Sequence, residues 1–323
     1  MTLLGRLILL GCLFASSSVF AQSYPNRSIT IVVTSAAGGL TDVLSRAVAQ
    51  RLSQMWNQSI VIENRGGAGH NFAAVVVKAA APDGYTLLAT ENGMFTIQPH
   101  LHSKGKLPYD AATDFAPIAN FAAIPMALLV HPSVPAKSVS ELIALAKDKP
   151  NTMSYGTAGL GTAPHMGALL LEGLAGIKLT AIHYRGANPA LNDVIAGHIN
   201  LITMGPSIAL STVRAGKLNM LGLGSVKRVP QFADVPTIAE SVPNYEASVS
   251  FGLFAPANTP RAIITKLNAD IQQVFSDPAF REKFLDPQVL QTLPGSPEIF
   301  ANYLQAESAK WSKVIGEAKL KID

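Results

Sequence analysis

The stretch SITIVVTSAAGGLTD, residues 28–42, holds the pattern that decides the fold. Its first half, from Ile29 to Val33, is a β-branched run of the kind that forms a buried strand. Its second half is rich in glycine, alanine, serine and threonine. After Gly38 and Gly39, apolar residues recur at the spacing of one helix face: Leu40, Val43, Leu44, Ala47, Val48, Leu52 and Met55. A strand, a glycine-rich loop and a helix in this order predict an α/β unit.

The same alternation continues along the chain. Further strands are predicted at 60–62, 85–90, 127–130, 153–155, 180–184 and 199–204. Helices are predicted at 71–80, from Ser138 to the residue before Pro150, at 164–174 and at 188–197. The last third is helical, with helices that begin near Thr259, Asp277 and Ser296. Alternating strands and helices predict mostly parallel sheets flanked by crossover helices.

The composition excludes several classes of protein. The chain has 323 residues, of which 48% are hydrophobic and only 14% charged, so it can bury large cores and is not a charge-rich disordered chain. Its net charge of +4 is spread over the whole length without a basic run, so a nucleic-acid partner is not expected. Only the N-terminal segment is continuously apolar, which excludes a polytopic membrane protein.

The N-terminus has the pattern of an export signal. Arg6 precedes an apolar stretch that ends in Val19-Phe20-Ala21, which predicts a signal peptide at 1–21, cleavage after Ala21 and a periplasmic mature protein. Two alternatives are an uncleaved anchor helix and a lipoprotein site at Cys12. Cys12 is the only cysteine, so the mature chain has neither a disulfide framework nor a cysteine-based metal or redox site.

Patterns that indicate an enzyme or a metal site are weak. Residues 205–209 only loosely resemble a nucleophile elbow, because the last position is alanine. A hydrolase that uses Ser207, with Asp193 and His198 nearby in sequence, is therefore an alternative rather than the main hypothesis. His100 and His102 lack a third metal ligand at a telling distance. We expect no catalytic residue, no metal and no cofactor.

Two glycine-rich loops each lie between a strand and a helix N-terminus. We call residues 35–42 loop 1 and residues 157–162 loop 2. A helix N-terminus presents unpaired N–H groups and a partial positive charge, and glycine lets an anion approach the backbone closely. In an open α/β sheet such loops lie at the carboxyl ends of the strands, where ligands bind. Two loops of one design predict an anion-binding site.

At these loops the sequence resembles a known family, the tripartite tricarboxylate receptor family of TctC-like or Bug periplasmic solute-binding proteins. The resemblance runs from Tyr24-Pro25 to the C-terminus. The matching pieces are AAGGLTD at 36–42, VIENRGGAG at 61–69, APDGYTL at 81–87, YRGANPA at 184–190 with Asp193, DVPT at 234–237 with Glu240, FGLFAP at 251–256 and TP at 259–260.

The resemblance implies a two-lobed α/β receptor of the Venus-flytrap type. Lobe 1 would comprise residues 22–123 and the C-terminal helices in 247–323, and lobe 2 would comprise residues 124–246. A small organic carboxylate, such as a di- or tricarboxylate or an aromatic acid, would bind between them through backbone groups, partly with bridging waters. The positions implied are Ser35, Ala36, Ala37, Gly38, Gly39, Thr41, Asp42, Asn92, Thr157, Gly159, Gly161, Thr162, Asn188, Asp193 and Ser207. Weaker candidates are the turns at 90–93, 186–188 and 205–207.

The resemblance also implies partners. The receptor would be a monomer that delivers its ligand to the two membrane subunits of a tripartite tricarboxylate transporter; a role as a ligand sensor for a signalling kinase uses the same site. The family often has proline and an aromatic residue where this chain has Thr34 and Ser35. The chain also departs from the family at Arg185, Asn200 and His70. These departures put the identity of the ligand in doubt more than the function.

Overall fold

The computed structural model describes residues 24–66 and 70–322. Its strands are β1 (Ile29–Val33), β2 (Ile60–Asn64), β3 (Thr86–Glu91), β4 (Phe115–Pro125), β5 (Ala127–Val130), β6 (Ser154–Thr157), β7 (Thr180–His183), β8 (Leu201–Met204), β9 (Asn219–Leu223), β10 (Ser248–Pro256) and β11 (Gln291–Thr292). They form a six-stranded sheet in the order β11-β4-β10-β3-β1-β2 and a five-stranded sheet in the order β7-β6-β8-β5-β9. Each sheet is the centre of one lobe.

Helices flank both sheets. They are α1 (Leu40–Trp56), α2 (Asn71–Lys78), α3 (Gly93–Thr96), α4 (Gln98–Leu101), α5 (Val139–Asp148), α6 (Ala163–Ala175), α7 (Ala187–Ile195), α8 (Pro206–Arg214), α9 (Arg261–Ser276), α10 (Pro278–Phe284) and α11 (Pro297–Glu317). The β-branched runs form the predicted strands, and the apolar stripe of α1 buries Leu44, Val48 and Leu52. The predicted two-lobed α/β architecture is confirmed.

Both sheets are mixed, where the sequence predicts mostly parallel ones. In the first sheet β1 pairs in parallel with β2 and β3, but β10 runs antiparallel to β3 and β4. In the second sheet β6 pairs in parallel with β7 and β8, whereas β5 runs antiparallel to β8 and β9. The antiparallel strands are the ones next to the crossings between sheets, where the chain passes on without a crossover helix.

The two crossings between the sheets lie side by side. Met126 is the single residue between β4 and β5, and the return path leaves β9 at Gly224 and reaches β10 after Ala247. The N–H of Gly224 donates to the carbonyl of Met126 at 2.8 Å, and the N–H of Met126 donates to that of Ala247 at 2.9 Å. We call this pairing the hinge. The lobe boundaries at 123/124 and 246/247 stay a prediction.

Helix α11 packs against the cores of both sheets. Its Phe300 joins a cluster with Phe95 and Phe254 on the six-stranded sheet. About three turns later, Trp311 and Ile315 join the cluster that covers the five-stranded sheet. The last helix therefore spans both lobes near the hinge.

Several elements were not predicted from the sequence. They include β4, β9, β10 and the short helices α3 and α4, which follow β3 directly. The last third is predicted to be helical, but β10 lies within it. The predicted signal peptide and its cleavage site lie outside the described residues. Among the residues that the structure describes, no helix is long and apolar enough to cross a membrane.

Candidate functional site

A cleft lies between the two sheets. It consists of a larger cavity of about 500 Å³ and a smaller one of about 270 Å³. The two cavities share five lining residues, which are Glu91, Met126, Ala163, Pro164 and Val249. Since these residues come from β3, the hinge, α6 and β10, the cleft draws its walls from both lobes.

The first turns of four helices line the larger cavity. Their lining residues are Leu40 and Thr41 of α1, Ala163 and Pro164 of α6, Ala187 of α7, and Ser207 and Ile208 of α8. A helix leaves the N–H groups of its first turn without intrahelical partners, and its N-terminus carries a partial positive charge. Four such ends from both lobes therefore meet around one space.

None of these four helices has a side-chain cap. The residues before them, Gly39, Thr162, Gly186 and Gly205, make no capping hydrogen bond through a side chain. Away from the cleft, α5, α10 and α11 are capped by Ser138, Asp277 and Ser296, whereas α2, α3, α4 and α9 have no side-chain cap. The uncapped N–H groups at the cleft remain available to an anion.

Loop 1 is shaped by a buried carboxylate. Asp42 is 2% exposed, and it accepts hydrogen bonds from the N–H of Gly38 at 2.9 Å and from Asn64 Nδ2 at 2.8 Å. Arg46 also donates to it. Burial acts to raise the pKa of Asp42, but the hydrogen bonds from Arg46, Gly38 and Asn64 outweigh it and hold the pKa below its usual value. Asp42 thus fixes the loop and does not face the cleft.

Gly38 and Ser35 are the loop 1 residues that reach the cavity before the helix begins. Gly38 has φ of +84°, the left-handed region that favours glycine. The hydroxyl oxygen of Ser35 is buried without a hydrogen-bond partner among the described residues.

Three N–H groups of loop 2 form hydrogen bonds within the loop or to the first turn of α6. Gly159 donates to Thr157 Oγ1 at 3.1 Å, Gly161 donates to His165 Nδ1 at 3.0 Å, and Thr162 donates to the carbonyl of Gly159 at 3.3 Å. The family resemblance implies that these groups bind the ligand. The structure uses them to hold the turn instead, so loop 2 contributes mainly the start of α6.

Gly161 is required for packing between the lobes. Its φ is +72°, and a Cβ atom there would lie 2.2 Å from Cδ1 of Leu101 at the end of α4. It lines the smaller cavity, not the larger one. The sequence explains this glycine by close approach of an anion, whereas the structure explains it by close approach of Leu101.

The cleft gathers about half of the predicted site residues. Those that line it are Ser35, Gly38, Thr41, Asn92, Gly161, Thr162 and Ser207. Those that line neither cavity are Ala36, Ala37, Gly39, Asp42, Thr157, Gly159, Asn188 and Asp193. Several of the second group sit in the correct loops but turn away, because loop conformation, unlike strand alternation, does not follow from the local sequence.

Asp193 is held by neighbours in its own lobe. It accepts a hydrogen bond from the hydroxyl of Tyr184 at 2.6 Å and lies 3.4 Å from Nδ1 of His198. The Tyr184 and His198 contacts lower the pKa of Asp193, and burial together with Asp193 raises the pKa of Tyr184 to about 12. No hydrogen bond among the described residues joins Ser207 to His198, which is 71% exposed. The geometry of a hydrolase triad is absent from this part of the chain.

The sequence did not single out the apolar walls of the larger cavity. Ile124, Met126, Met204, Val249 and Phe251 line it. They come from the hinge and from strand ends that antiparallel pairing brings together, which a local pattern does not reveal. Phe251 opens one of the quoted motifs, and that motif was the available indication.

The cleft has few charged side chains in its lining. Among the described residues, no lysine or arginine lines either cavity, and the ionisable lining groups are Glu91 and His70. Arg185 lines neither cavity. No group of three or more His, Asp or Glu side chains that could hold a metal occurs in the described parts of the chain, and His100 Nε2 pairs with Ser308 Oγ at 2.8 Å.

Known proteins resemble the chain over nearly its whole length. A protein of Pseudomonas sp. strain P51, described as the UPF0065 protein in the tcbD-tcbE intergenic region, is 32% identical, with 98% of this chain and 95% of that protein covered. The structure of Rpa4515 of R. palustris with adipate is 34% identical, covers 92% of this chain and 99% of that one, and superimposes with a TM-score of 0.78.

A second solved structure is MatC (Rpa3494) of Rhodopseudomonas palustris with bound malate. It is 30% identical, covers 90% of this chain and all of that one, and gives a TM-score of 0.73. The family model described as "tripartite tricarboxylate transporter family receptor" matches residues 44–320. The proteins of this family are periplasmic solute-binding receptors, and the resemblance stated from the sequence is confirmed. This chain is a member of the TctC family of tripartite tricarboxylate transporter receptors.

Proposed function

We propose that the protein is a non-catalytic periplasmic receptor that binds a small organic carboxylate in the cleft. The observation that carries this proposal is the meeting of four uncapped helix N-termini around the larger cavity. Hydrogen bonds to a charged group contribute about 1.5–3 kcal/mol each, so a few of them support micromolar binding without any basic side chain. Adipate and malate, the ligands in the two related structures, are both carboxylates.

In this proposal the two lobes close over the ligand, and the closed form delivers it to the membrane subunits of a tripartite tricarboxylate transporter. The lobes are residues 22–123 with 247–323, and residues 124–246. The signal peptide is removed after Ala21, so the mature protein begins at Gln22. Intact-mass analysis of a periplasmic extract tests that start, and a diacylated species that begins at Cys12 would contradict it.

Binding is tested by a thermal-shift screen of mono-, di- and tricarboxylates and aromatic acids on the mature protein, followed by calorimetry on the acids that stabilise it. Ser207 lines the cavity, and Ser211 lies exposed one turn later on the same helix. We expect Ser207→Ala to weaken binding about tenfold through the loss of one hydrogen bond, with Ser211→Ala unchanged. Arg185→Ala is also expected to bind normally.

The outcomes separate this proposal from the hydrolase alternative. Binding without turnover supports a receptor. Ester hydrolysis that disappears in Ser207→Ala would support an enzyme instead. Loss of binding in Arg185→Ala with normal binding in Ser207→Ala would show that a basic side chain holds the carboxylate, and would contradict recognition by helix N-termini.

A further inference from the structure

The described lining of the cleft contains one carboxylate, Glu91. It is the last residue of β3, opposite Phe251 of β10, and its side chain is 38% exposed. Glu91 lines both cavities, so any ligand that fills the cleft passes it. A negative charge at this place repels a second carboxylate and attracts a positive group.

Among the described residues, no lysine or arginine forms an ion pair with Glu91. Its partner there is His70, whose Nε2 lies 3.3 Å from Oε1 of Glu91. A neutral imidazole with its proton on Nε2 donates a hydrogen bond to the carboxylate and leaves the negative charge in place. The pair therefore keeps a net charge of −1 when His70 is neutral.

The acceptor that this pair presents to the cleft is the carboxylate of Glu91, because the Nδ1 atom of His70 is buried. We call Glu91 and His70, with the part of the cleft wall that they form, the acidic end.

The rest of the cleft has the opposite polarity. The first turns of α1, α6, α7 and α8 offer N–H donors and partial positive charge around the larger cavity. The two polarities occur in one cleft without a lysine or arginine in the described lining. A ligand with a carboxylate and a cationic group satisfies both, whereas a dicarboxylate places its second charge near Glu91.

We propose that Glu91 is a specificity-determining residue, and that the preferred ligand is a monocarboxylate that also carries a protonated amino group. The proposal rests on the receptor function above, because it needs a carboxylate held by the helix N-termini. It assigns the cationic group of the ligand to the acidic end of the cleft.

The test compares ligands that differ only in the second charged group. Adipate and 6-aminohexanoate form one such pair, and succinate and 4-aminobutyrate form a second. Calorimetry at neutral pH gives the ratio of the two dissociation constants within each pair. The variants are Glu91→Gln, which removes the charge at nearly constant shape, and Glu282→Gln, the same change at an exposed position on α10.

We expect the amino compound to bind tighter than its partner in at least one pair, and Glu91→Gln to reduce that preference by about tenfold or more, equivalent to ~1.4 kcal/mol. Glu282→Gln should leave the ratio unchanged. Folding of each variant is checked by thermal unfolding. If Glu91→Gln still binds the member of each pair that has no amino group, its cleft is intact.

Two results overturn the inference, and they differ. If the dicarboxylate binds tighter in both pairs, or if Glu91→Gln leaves the ratios unchanged, Glu91 does not select the ligand while the receptor function stands. If no compound of the pairs or of the wider carboxylate screen binds, the receptor function fails and the inference fails with it.

Discussion

At the scale of single residues, two glycines that look alike in the sequence have different structural roles. Gly38 and Gly161 both have positive φ, and each lies in one of the two loops. A Cβ atom on Gly38 would meet no atom within 4 Å, whereas one on Gly161 would overlap Leu101. Substitution at Gly38 is therefore opposed by backbone conformation alone, and at Gly161 by conformation and crowding together.

This difference predicts that alanine substitutions at the two glycines lower the free energy of unfolding by different amounts. Gly38→Ala should cost about 1 kcal/mol of unfolding free energy through its left-handed backbone, and weaken carboxylate binding about tenfold as loop 1 shifts. Gly161→Ala should cost more, by roughly 1–3 kcal/mol, because the methyl group overpacks against Leu101. Urea unfolding and calorimetry measure the two quantities.

Gly216→Ala is the matched control. Gly216 has φ of +68°, a Cβ atom there would meet no atom within 4 Å, and the residue lies outside the cleft. The variant should lose about as much stability as Gly38→Ala, ~1 kcal/mol, and keep its affinity. Equal affinities of Gly38→Ala and wild type would show that loop 1 does not position the ligand.

The sequence predicts the residues of the site less well than its loops. Asp42 and Asp193 belong to quoted motifs, yet neither lines the cleft. Asp42 accepts hydrogen bonds from Gly38 and Asn64, and Asp193 accepts one from Tyr184. Side-chain direction in a loop depends on tertiary partners, here on β2 and on the segment before α7. Ser207 reaches the cavity because it stands in the first turn of α8, and that position follows from the local pattern of glycine and proline.

At the scale of elements, most strands and the long helices follow the sequence, but β4, β9 and β10 do not. The runs at 29–33 and 201–204 are apolar and β-branched enough to be recognised locally. Strand β4 contains Pro117, Asn120 and Pro125 without alternation, and its pairing with β10 spans more than a hundred residues. Long-range pairing fixes this strand, so a local pattern misses it.

Loop 2 and α6 are linked by a buried histidine. His165 is 2% exposed, and its Nδ1 accepts the N–H of Gly161, which requires a neutral ring. Burial, together with the nearby His183 ring, lowers the pKa of His165 to about 4. The folded state therefore takes up this proton at lower pH than the unfolded chain, whose ordinary value is 6.5.

The consequence is a pH-dependent loss of stability. His165 contributes stability that is fully present above pH 6.5 and is lost as the pH falls from 6.5 to about 4, by at most ~3 kcal/mol. We expect the unfolding free energy of His165→Gln to vary less over this range than that of wild type. Urea unfolding at several pH values measures it.

If His165→Gln loses as much stability on acidification as wild type, the hydrogen bond from Gly161 does not depend on a neutral His165.

At the scale of the whole molecule, the cleft is bounded by elements that also control the relative position of the lobes. The hinge at Met126, Gly224 and Ala247 forms one edge, and α11 contacts both cores behind it. The sequence predicts two lobes through the family resemblance, but not the mixed sheets that bring both crossings together. A ligand that touches α1 from one lobe and α6, α7 and α8 from the other binds best when the lobes are close.

The central claim is that a carboxylate bound between the lobes holds them together. Small-angle X-ray scattering on the mature protein, with and without an acid that calorimetry has shown to bind, tests it most directly. We predict that the radius of gyration falls on saturation with this acid, and that the fall is absent when a non-binding acid is added at the same concentration. A radius of gyration that stays constant while calorimetry shows full occupancy would contradict binding in the cleft between the lobes.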